Sequence, residues 1–441
     1  MSRTQWASGP LDWSLLTGAV PIVVGVLGAA ALLALCLSRR RHWFTRWLPL
    51  ALLLAAGLSW LVAVAVDDWW KPFPEGLPTT SAVWIGVAVL GLCVALFRLP
   101  GLRWRGWIGA LLAVVLVVVL SASEVNQEFQ QYPTLRDAPG PWQVQPGVLS
   151  AADNGKEPTV AVPPGRTLED VWKPPTGLSA RGTLSSTPIP GTRSGFVARS
   201  AYIYLPPAYQ ARPRPLLPVL VLMAGQPGSP EDWINSGRLV SFMDAYAGAH
   251  KGLAPVVAVV DPLGSELANT LCMDSRIAKV QTYLAQDVPD WITSHLQVAS
   301  GRGARVIGGL SFGGTCALQL AVNAPAVYGS FLDLSGQDEP TLGTRSQTVS
   351  EAFGGDTAAF LAVDPLEVMA HTSFPHTSAA LVVGASDTLF GPQQQKVLVA
   401  CRRAGMRASL LVLPGGHDWK VWRDGLSQEL PWVGRTTGLT P

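Results

Sequence analysis

The sequence predicts an N-terminal four-helix transmembrane bundle followed by an α/β domain with a mainly parallel sheet and helices on both faces. Two observations predict this organisation. Four nearly uncharged apolar stretches lie within the first 124 residues, and such stretches are typical of membrane spans. From about residue 182 onward, strand-like and helix-like segments alternate, which is the pattern of a parallel sheet with crossover helices.

The composition supports a membrane domain at the N-terminal end. Of the 441 residues, 48% are hydrophobic and only 14% are charged, which is too apolar for one ordinary soluble domain. The first apolar stretch lacks a basic n-region and is too long for a cleaved signal peptide. We therefore predict a plasma-membrane domain over residues 1–124. Its four helices are expected at about 15–37, 47–66, 82–98 and 106–123.

The charges between the spans predict their orientation. The first and third connecting loops are rich in arginine, whereas the second contains Asp67, Asp68 and Glu75, with Lys71 as its one cation. Cytoplasmic loops carry an excess of Lys and Arg, so the first and third loops are expected in the cytoplasm. The N-terminus and the chain after residue 124 are then extracytoplasmic.

Apart from Arg98 at the end of the third, the predicted spans contain no Asp, Glu, Lys, Arg or His, and an ion or solute pathway usually needs an ionisable residue within a span. The bundle is therefore expected to act as an anchor or as a surface for protein partners, and a transporter is disfavoured. Frequent prolines predict a linker over residues 125–181, either as an extended stalk or as a lipid-facing loop packed on the α/β domain. The extracytoplasmic α/β domain is expected over residues 182–441.

One G-x-S-x-G motif occurs in the chain, at Gly309-Leu310-Ser311-Phe312-Gly313. It follows a short apolar run that predicts a strand, and it precedes a helix-like stretch that Pro325 ends. A strand, a sharp turn and a helix form the context in which this motif presents a nucleophilic serine. The glycines are expected to be required because larger side chains would collide with the strained turn. Ser311 is therefore the candidate nucleophile.

Two further polar residues complete the constellation. Asp387 and His417 each follow a strand-like run, and the order Ser, Asp, His is the one found in the α/β-hydrolase arrangement. A neutral imidazole can accept the proton of a serine hydroxyl, while a carboxylate fixes the tautomer of that imidazole. We predict that Ser311, His417 and Asp387 act as nucleophile, base and acid through an acyl-enzyme.

An oxyanion hole needs backbone N–H donors aimed at the developing charge. One candidate donor is the amide of Phe312, which follows the nucleophile. The other is the amide of Gln226, in the loop after a strand predicted at 218–223. The alternative is that residues 224–228 form only a turn, for which their Gly and Pro content is also suited.

The cysteines predict a disulfide and no metal site. Cys272, Cys316 and Cys401 lie in the domain expected outside the cell, where disulfides persist. A bridge between Cys272 and Cys316 is predicted, with Cys401 free. The chain lacks C-x-x-C and paired histidines on one helix face, so no metal or cofactor is expected. The net charge of +2 and the absence of a recognisable module predict no nucleic-acid partner.

Several segments together resemble the esterase D and antigen 85 group of α/β hydrolases, which includes the mycolyltransferases of mycobacteria and corynebacteria. The most specific segment is the His-x-Trp-x-x-Trp sequence that begins at His417. The resemblance covers about residues 182–435 and implies ester or acyl-transfer chemistry without a cofactor. It also implies Ser311 as nucleophile, His417 as base, and the Gln226 and Phe312 amides as oxyanion donors. With its four-helix anchor, the chain looks like a membrane-bound actinobacterial subgroup. The other matching segments are 202–207, 224–226, 281–284, 290–292 and 309–314.

Two departures from the mycolyltransferase pattern affect the expected chemistry. Those secreted enzymes use Glu as the acid, whereas this chain has Asp387 at the matching place. They also carry a sugar-binding Arg shortly after the oxyanion-loop residue, where this chain has Pro227 and Gly228. The second departure disfavours trehalose as an acyl acceptor.

The leading hypothesis is a membrane-anchored serine esterase or acyltransferase that acts on lipid or glycolipid esters of the cell envelope. Anchoring would raise the effective concentration of an amphiphilic substrate near the site, and water or a sugar hydroxyl would accept the acyl group. The alternative is a catalytically idle hydrolase-fold scaffold that the transmembrane helices dock into a larger envelope assembly.

Overall fold

A computed structural model of the chain describes residues 9–70, 76–139, 146–149 and 157–441. The chain divides into two units, Met1–Gln143 and Val144–Pro441. The boundary between them falls inside the predicted linker. The N-terminal eight residues, the loop charges Lys71 and Glu75, and linker residues 140–145 and 150–156 lie outside the described residues.

Four long helices form the N-terminal unit. Within the described residues, four helical segments are long and apolar enough to cross a membrane by length and composition. π-helical turns at both ends of the second helix lengthen its helical segment to Trp43–Trp69. The helices are α1 (Ala19–Cys36), α2 (Leu48–Val64), α3 (Thr79–Arg98) and α4 (Trp104–Phe129).

Two helix boundaries differ from the sequence-based prediction by four residues or more. Helix α1 begins four residues later than predicted, because Leu15 N–H donates to Pro133 O instead of entering the helix. Helix α4 continues six residues beyond the predicted span, to Phe129, and therefore also includes Glu124 and Glu128. About 20 helical residues cross a hydrocarbon core, and these two glutamates are the 21st and 25th residues of α4.

Arg40 of the first loop and Arg98 at the end of α3 cap one end of the bundle. Arg98 Nη1 donates to Leu35 O at 2.8 Å and also to Ala34 O, both near the end of α1. In return, Arg40 Nη1 donates to Phe97 O near the end of α3. Each arginine satisfies carbonyls that have no partner at a helix C-terminus. The C-terminal ends of α1 and α3 are thereby joined at the same side.

The C-terminal unit is built on one twisted sheet, which has nine strands within the described residues. Its order is β1-β2-β3-β5-β4-β6-β7-β8-β9. Only β3 runs antiparallel to its two neighbours, and all the other pairs are parallel. The strands are β1 (Gly147–Val148), β2 (Thr183–Thr187), β3 (Ala201–Leu205), β4 (Val219–Met223), β5 (Val256–Val260), β6 (Arg305–Leu310), β7 (Ser330–Leu334), β8 (Ser378–Gly384) and β9 (Arg407–Leu413).

Helices connect the strands and cover the sheet. Every residue of β4, β5, β7 and β8 is buried, as expected for parallel strands that helices cover on both faces. The helices are α5 (Leu168–Val171), α6 (Glu231–Ile234), α7 (Leu239–Ala249), α8 (Val280–Thr282), α9 (Val288–His295), α10 (Phe312–Asn323), α11 (Arg345–Phe353), α12 (Thr357–Leu361), α13 (Pro365–His371), α14 (Phe390–Arg403) and α15 (Trp419–Thr437).

The second half of the predicted linker packs against the sheet domain. Leu168 and Trp172 are buried in the main core. Leu168 N–H donates to Gly438 O at 3.0 Å, and Trp172 Nε1 donates to Lys251 O at 3.0 Å. Residues 157–181 are therefore part of the C-terminal unit rather than an extended connection.

The register brings the carboxyl ends of the central strands to one edge. Gly309 near the end of β6 pairs with Met223 of β4 and with Asp333 of β7. At the far side, Gly384 of β8 pairs with Leu413 of β9. Loops that follow these strands therefore meet at one edge, which is where ligands bind in open α/β sheets.

Candidate active site

Ser311 lies in a sharp turn between β6 and α10. Its backbone is left-handed, with φ 51° and ψ −117°, a conformation that is strained for a residue with a side chain. Ser311 N–H donates to Leu334 O of the neighbouring strand β7 at 2.8 Å. This bond holds the strained turn against the sheet, and the turn carries the serine hydroxyl at the carboxyl edge.

The two glycines of the motif are required by close backbone approaches. A Cβ on Gly309 would overlap the backbone of Gly313, and a Cβ on Gly313 would overlap Met223 O at the end of β4. The turn therefore packs directly on itself and on the neighbouring strand. This is the collision that the sequence predicted, although its partner in β4 could not be named from the motif.

Ser311, His417 and Asp387 form one hydrogen-bonded series. Ser311 Oγ lies 3.0 Å from His417 Nε2, and His417 Nδ1 lies 3.0 Å from Asp387 Oδ2. The side chain of Asp387 is only 2% exposed and that of His417 is 16% exposed. A carboxylate at Nδ1 favours the tautomer with its proton there, which leaves Nε2 free to accept the serine proton. The geometry suits general-base activation of Ser311.

Neighbouring groups hold the acid and the imidazole in place. Asp387 Oδ1 accepts a hydrogen bond from Phe390 N–H at 2.9 Å. The Phe390 ring stacks on His417 with centroids 4.1 Å apart, and Trp422 meets the imidazole edge-on at 4.9 Å. Trp422 is the last residue of the His-x-Trp-x-x-Trp motif that begins at His417. Phe390 was missed, and its position three residues after Asp387 was the available signal.

Both candidate oxyanion donors lie at the serine turn. Phe312 is the first residue of α10, where an N–H has no intrahelical acceptor. A Cβ on Gly225 would lie 3.3 Å from Ser311 Cβ, so the loop that contains Gln226 packs against Ser311. Among the residues that the structure describes, no protein group accepts a hydrogen bond from the Phe312 or Gln226 amide. Both amides are thus available to a ligand oxygen.

A disulfide fastens the loop after β5 to the helix that follows the nucleophile. Cys272 and Cys316 are bonded, with Cα atoms 5.3 Å apart, and Cys401 is buried and free. Leu271 and Met273, on either side of Cys272, bury their side chains with Ala352 of α11 in a small apolar cluster. The bridge therefore stabilises the loop and α11 beside the serine turn.

Asp333 is a buried carboxyl that the sequence analysis did not identify. It lies in β7 and is fully buried. Its Oδ1 accepts from Gly336 N–H at 2.7 Å, and its Oδ2 accepts from Gln394 Nε2 at 2.9 Å. Burial raises the pKa of Asp333 to about 7, against the opposing effect of these two hydrogen bonds.

Among the described residues, no cluster of three or more His, Cys, Asp or Glu side chains is placed to hold a metal ion.

Replacing Asp333 with asparagine is expected to reduce the pH dependence of stability. Between about pH 4 and pH 7 the unfolded chain has lost this proton while the folded chain keeps it, so the free energy of unfolding falls as pH rises. The neutral amide has no proton to lose in this range, so this contribution to the pH dependence of stability is removed. Thermal unfolding at pH 5 and pH 8 tests this: the variant should gain stability over the wild type mainly at pH 8. Equal differences at both pH values would contradict it.

Sequence comparison assigns the chain to a family. Residues 198–433 match the Esterase family, which is described as "Putative esterase". A curated relative, an uncharacterized protein of Corynebacterium glutamicum, is 38% identical over 449 aligned positions, which cover 99% of each chain. That likeness extends over both units.

A solved structure shares the fold of the C-terminal unit. A ferulic acid esterase superposes with a TM-score of 0.51 at 18% identity, covering 58% of this chain and 99% of the other. An S-formylglutathione hydrolase from Agrobacterium tumefaciens has a TM-score of 0.49 at 17% identity, covering 59% of this chain and 97% of its own. From the match over more than half of its length and the nearly full-length relative, we conclude that the chain belongs to the Esterase family and has its α/β-hydrolase fold.

Proposed function

We propose that this protein is a membrane-anchored serine esterase or acyltransferase that acts on lipid or glycolipid esters of the cell envelope. The observation that carries the proposal is the series Ser311–His417–Asp387, with 3.0 Å at each step. Two backbone amides beside the nucleophile, those of Gln226 and Phe312, supply the complementary electrostatics.

The first half of the reaction forms an acyl-enzyme. His417 Nε2 accepts the Ser311 proton while Ser311 Oγ attacks the ester carbonyl carbon, and the Gln226 and Phe312 amides donate to the resulting oxyanion. Asp387 stabilises the imidazolium. When the intermediate collapses, the bond to the alcohol oxygen breaks and His417 returns the proton to that oxygen. The alcohol leaves, and the acyl group remains on Ser311.

The second half transfers the acyl group to an acceptor hydroxyl. His417 removes a proton from water or from an alcohol, and the oxygen attacks the acyl carbon through the same oxyanion arrangement. Collapse breaks the bond to Ser311 Oγ, which regains its proton from His417. Water yields a free acid, and a sugar hydroxyl yields a new ester. The resemblance to the antigen 85 group favours transfer, while Pro227 and Gly228 disfavour trehalose as the acceptor.

A plasma-membrane location with an outward-facing catalytic domain is part of this proposal. It is supported by four helices with the length and composition of membrane spans and by arginines grouped at one end of the bundle. Excess arginine marks the cytoplasmic side, so the chain after α4 would be outside. The relative from Corynebacterium glutamicum, which matches along nearly its whole length, is in keeping with an actinobacterial envelope enzyme.

Product analysis tests the proposal directly. The full chain and its Ser311→Ala variant are purified in detergent and given an acylated glycolipid, with and without a free sugar acceptor. Mass spectrometry then identifies the products. A new ester that requires the acceptor and Ser311 would establish acyl transfer, and free acid alone would establish an esterase. Absence of turnover by both proteins, with no fluorophosphonate labelling of Ser311, would contradict the proposal and favour an idle scaffold.

A further inference from the structure

We propose that Arg199 is a positioning residue that holds the oxyanion loop, residues 224–228, in its working conformation. Arg199 precedes β3 and is far from the nucleophile in sequence. It reaches the loop through its guanidinium group, whose Nη2 donates to Gly228 O at 2.9 Å. The inference rests on the proposed function, because the loop matters to the reaction through the Gln226 amide.

The residues of the oxyanion loop pack tightly against one another, and groups from other parts of the chain bind its last residue, Gly228. A Cβ on Gly228 would lie 2.6 Å from Gly225 O, so the turn leaves no room for a side chain there. Gly228 N–H donates to Glu266 O at 3.0 Å, and Gly228 O accepts from Arg199. The Gln226 side chain donates to Leu267 O at 3.0 Å. Two outside groups therefore fix Gly228, two residues after the amide that would bind the oxyanion.

A buried carboxylate fixes the guanidinium in turn. Asp261 follows β5 and is fully buried, while the Arg199 side chain is 29% exposed. Arg199 Nε donates to Asp261 Oδ2 at 3.0 Å, and Nη2 donates to Oδ1 at 2.8 Å. Asp261 also accepts from the backbone amides of Arg199, Leu263 and Gly264 at 2.8, 3.1 and 3.1 Å. Five donors thus surround one carboxylate, which sets the plane and position of the guanidinium.

The geometry requires arginine rather than a general cation. A guanidinium presents donors in a rigid plane, so Nη2 can bond Asp261 and Gly228 O together while Nε bonds Asp261. A lysine ammonium is a single compact group that lacks this fork. With Lys at position 199 we expect the Asp261 contact to be retained and the Gly228 contact to be lost or lengthened. The loop would then be held only by the Glu266 and Leu267 carbonyls.

Loss of this support should slow the chemical steps rather than binding. Removing an oxyanion donor costs about 10²- to 10³-fold in rate, and a displaced donor should cost less. We expect Arg199→Lys to lower kcat by about 10- to 100-fold. Acylation and deacylation both pass through an oxyanion, so both should slow together and KM should change little. The pH dependence of kcat/KM should stay the same, because Ser311, His417 and Asp387 are untouched.

The test uses the full chain in detergent with p-nitrophenyl butyrate as the probe ester. The rate constant of Ser311 labelling by a fluorophosphonate provides a second readout, because its phosphoryl oxygen also needs the oxyanion donors. The matched control is Arg193→Lys. It replaces the guanidinium of an exposed ion pair, in which Arg193 Nη2 lies 2.9 Å from Asp290 Oδ2. The control should keep wild-type kcat and labelling rate, while Arg199→Lys should lose about tenfold or more in both.

Three outcomes are informative. A lower unfolding temperature for Arg199→Lys, with kcat per labelled site and labelling rate unchanged, would show a purely structural role and overturn the inference. Equal losses in Arg199→Lys and Arg193→Lys would overturn it too. A wild-type protein that neither hydrolyses the probe nor becomes labelled would instead remove the proposed function, and the inference with it.

Discussion

Replacing Ser311 with alanine is expected to lower ester turnover by roughly 10⁵- to 10⁶-fold and to abolish labelling by a fluorophosphonate. The hydroxyl is the group that His417 Nε2 faces at 3.0 Å, and alanine leaves that base without a nucleophile to activate. Steady-state turnover of p-nitrophenyl butyrate and gel detection of the labelled protein measure the two effects. The substitution removes one oxygen from a buried turn, so the unfolding temperature should change little.

The matched control for this experiment is Ser335→Ala. Ser335 also follows a central strand, is buried, and has a left-handed backbone with φ 57°, close to the 51° of Ser311. Its hydroxyl has no hydrogen-bond partner in the described structure. The control should therefore keep full turnover and labelling. Undiminished labelling of the Ser311→Ala protein would mean that another residue is the nucleophile.

Replacing Asp387 with asparagine is expected to lower kcat by about 10⁴-fold while the fold is kept. The asparagine oxygen can still accept from Phe390 N–H, as Asp387 Oδ1 does at 2.9 Å. Its amide NH₂ then faces His417 Nδ1 and favours the imidazole tautomer with the proton on Nε2. That tautomer cannot accept the Ser311 proton. Turnover measured alongside circular dichroism separates this loss from unfolding.

Asp333→Asn is the control for the identity of the acid. Asp333 is another buried aspartate near the carboxyl edge, and it accepts hydrogen bonds from Gly336 and Gln394 rather than contacting the imidazole. We expect this variant to keep wild-type kcat. If Asp333→Asn lost activity and Asp387→Asn kept it, the assignment of the acid would be wrong.

Much of the architecture was predictable because it depends on local patterns. Apolar stretches of span length predicted the four helices of the N-terminal unit, and alternation of strand-like and helix-like segments predicted the parallel sheet. The ends of these elements were less predictable. Helix α4 includes polar residues up to Phe129, because a helix that leaves the apolar core no longer needs apolar side chains.

Some residues of the candidate site were likewise predictable from the sequence, and others were not. Ser311, Asp387 and His417 could be named because each follows a strand-like run and their order along the chain is characteristic. Phe390 and Asp333 were not named, because their roles depend on which groups contact them in the folded chain. The aspartate Asp261 ends a predicted strand like Asp387, and nothing local distinguishes a carboxylate that binds arginine from one that binds histidine.

Residue types and their periodicity therefore predicted the two units, the strained serine turn and the candidate acid and base that follow later strands. Folding was needed to bring Ser311 and His417, 106 positions apart in the chain, to within one hydrogen bond. It was also needed to join Arg199 to Asp261 across 62 positions and to Gly228 across 29. The physical reason is that propensity and burial act on neighbouring residues, whereas these distances are set by strand order and register, to which the whole sheet contributes.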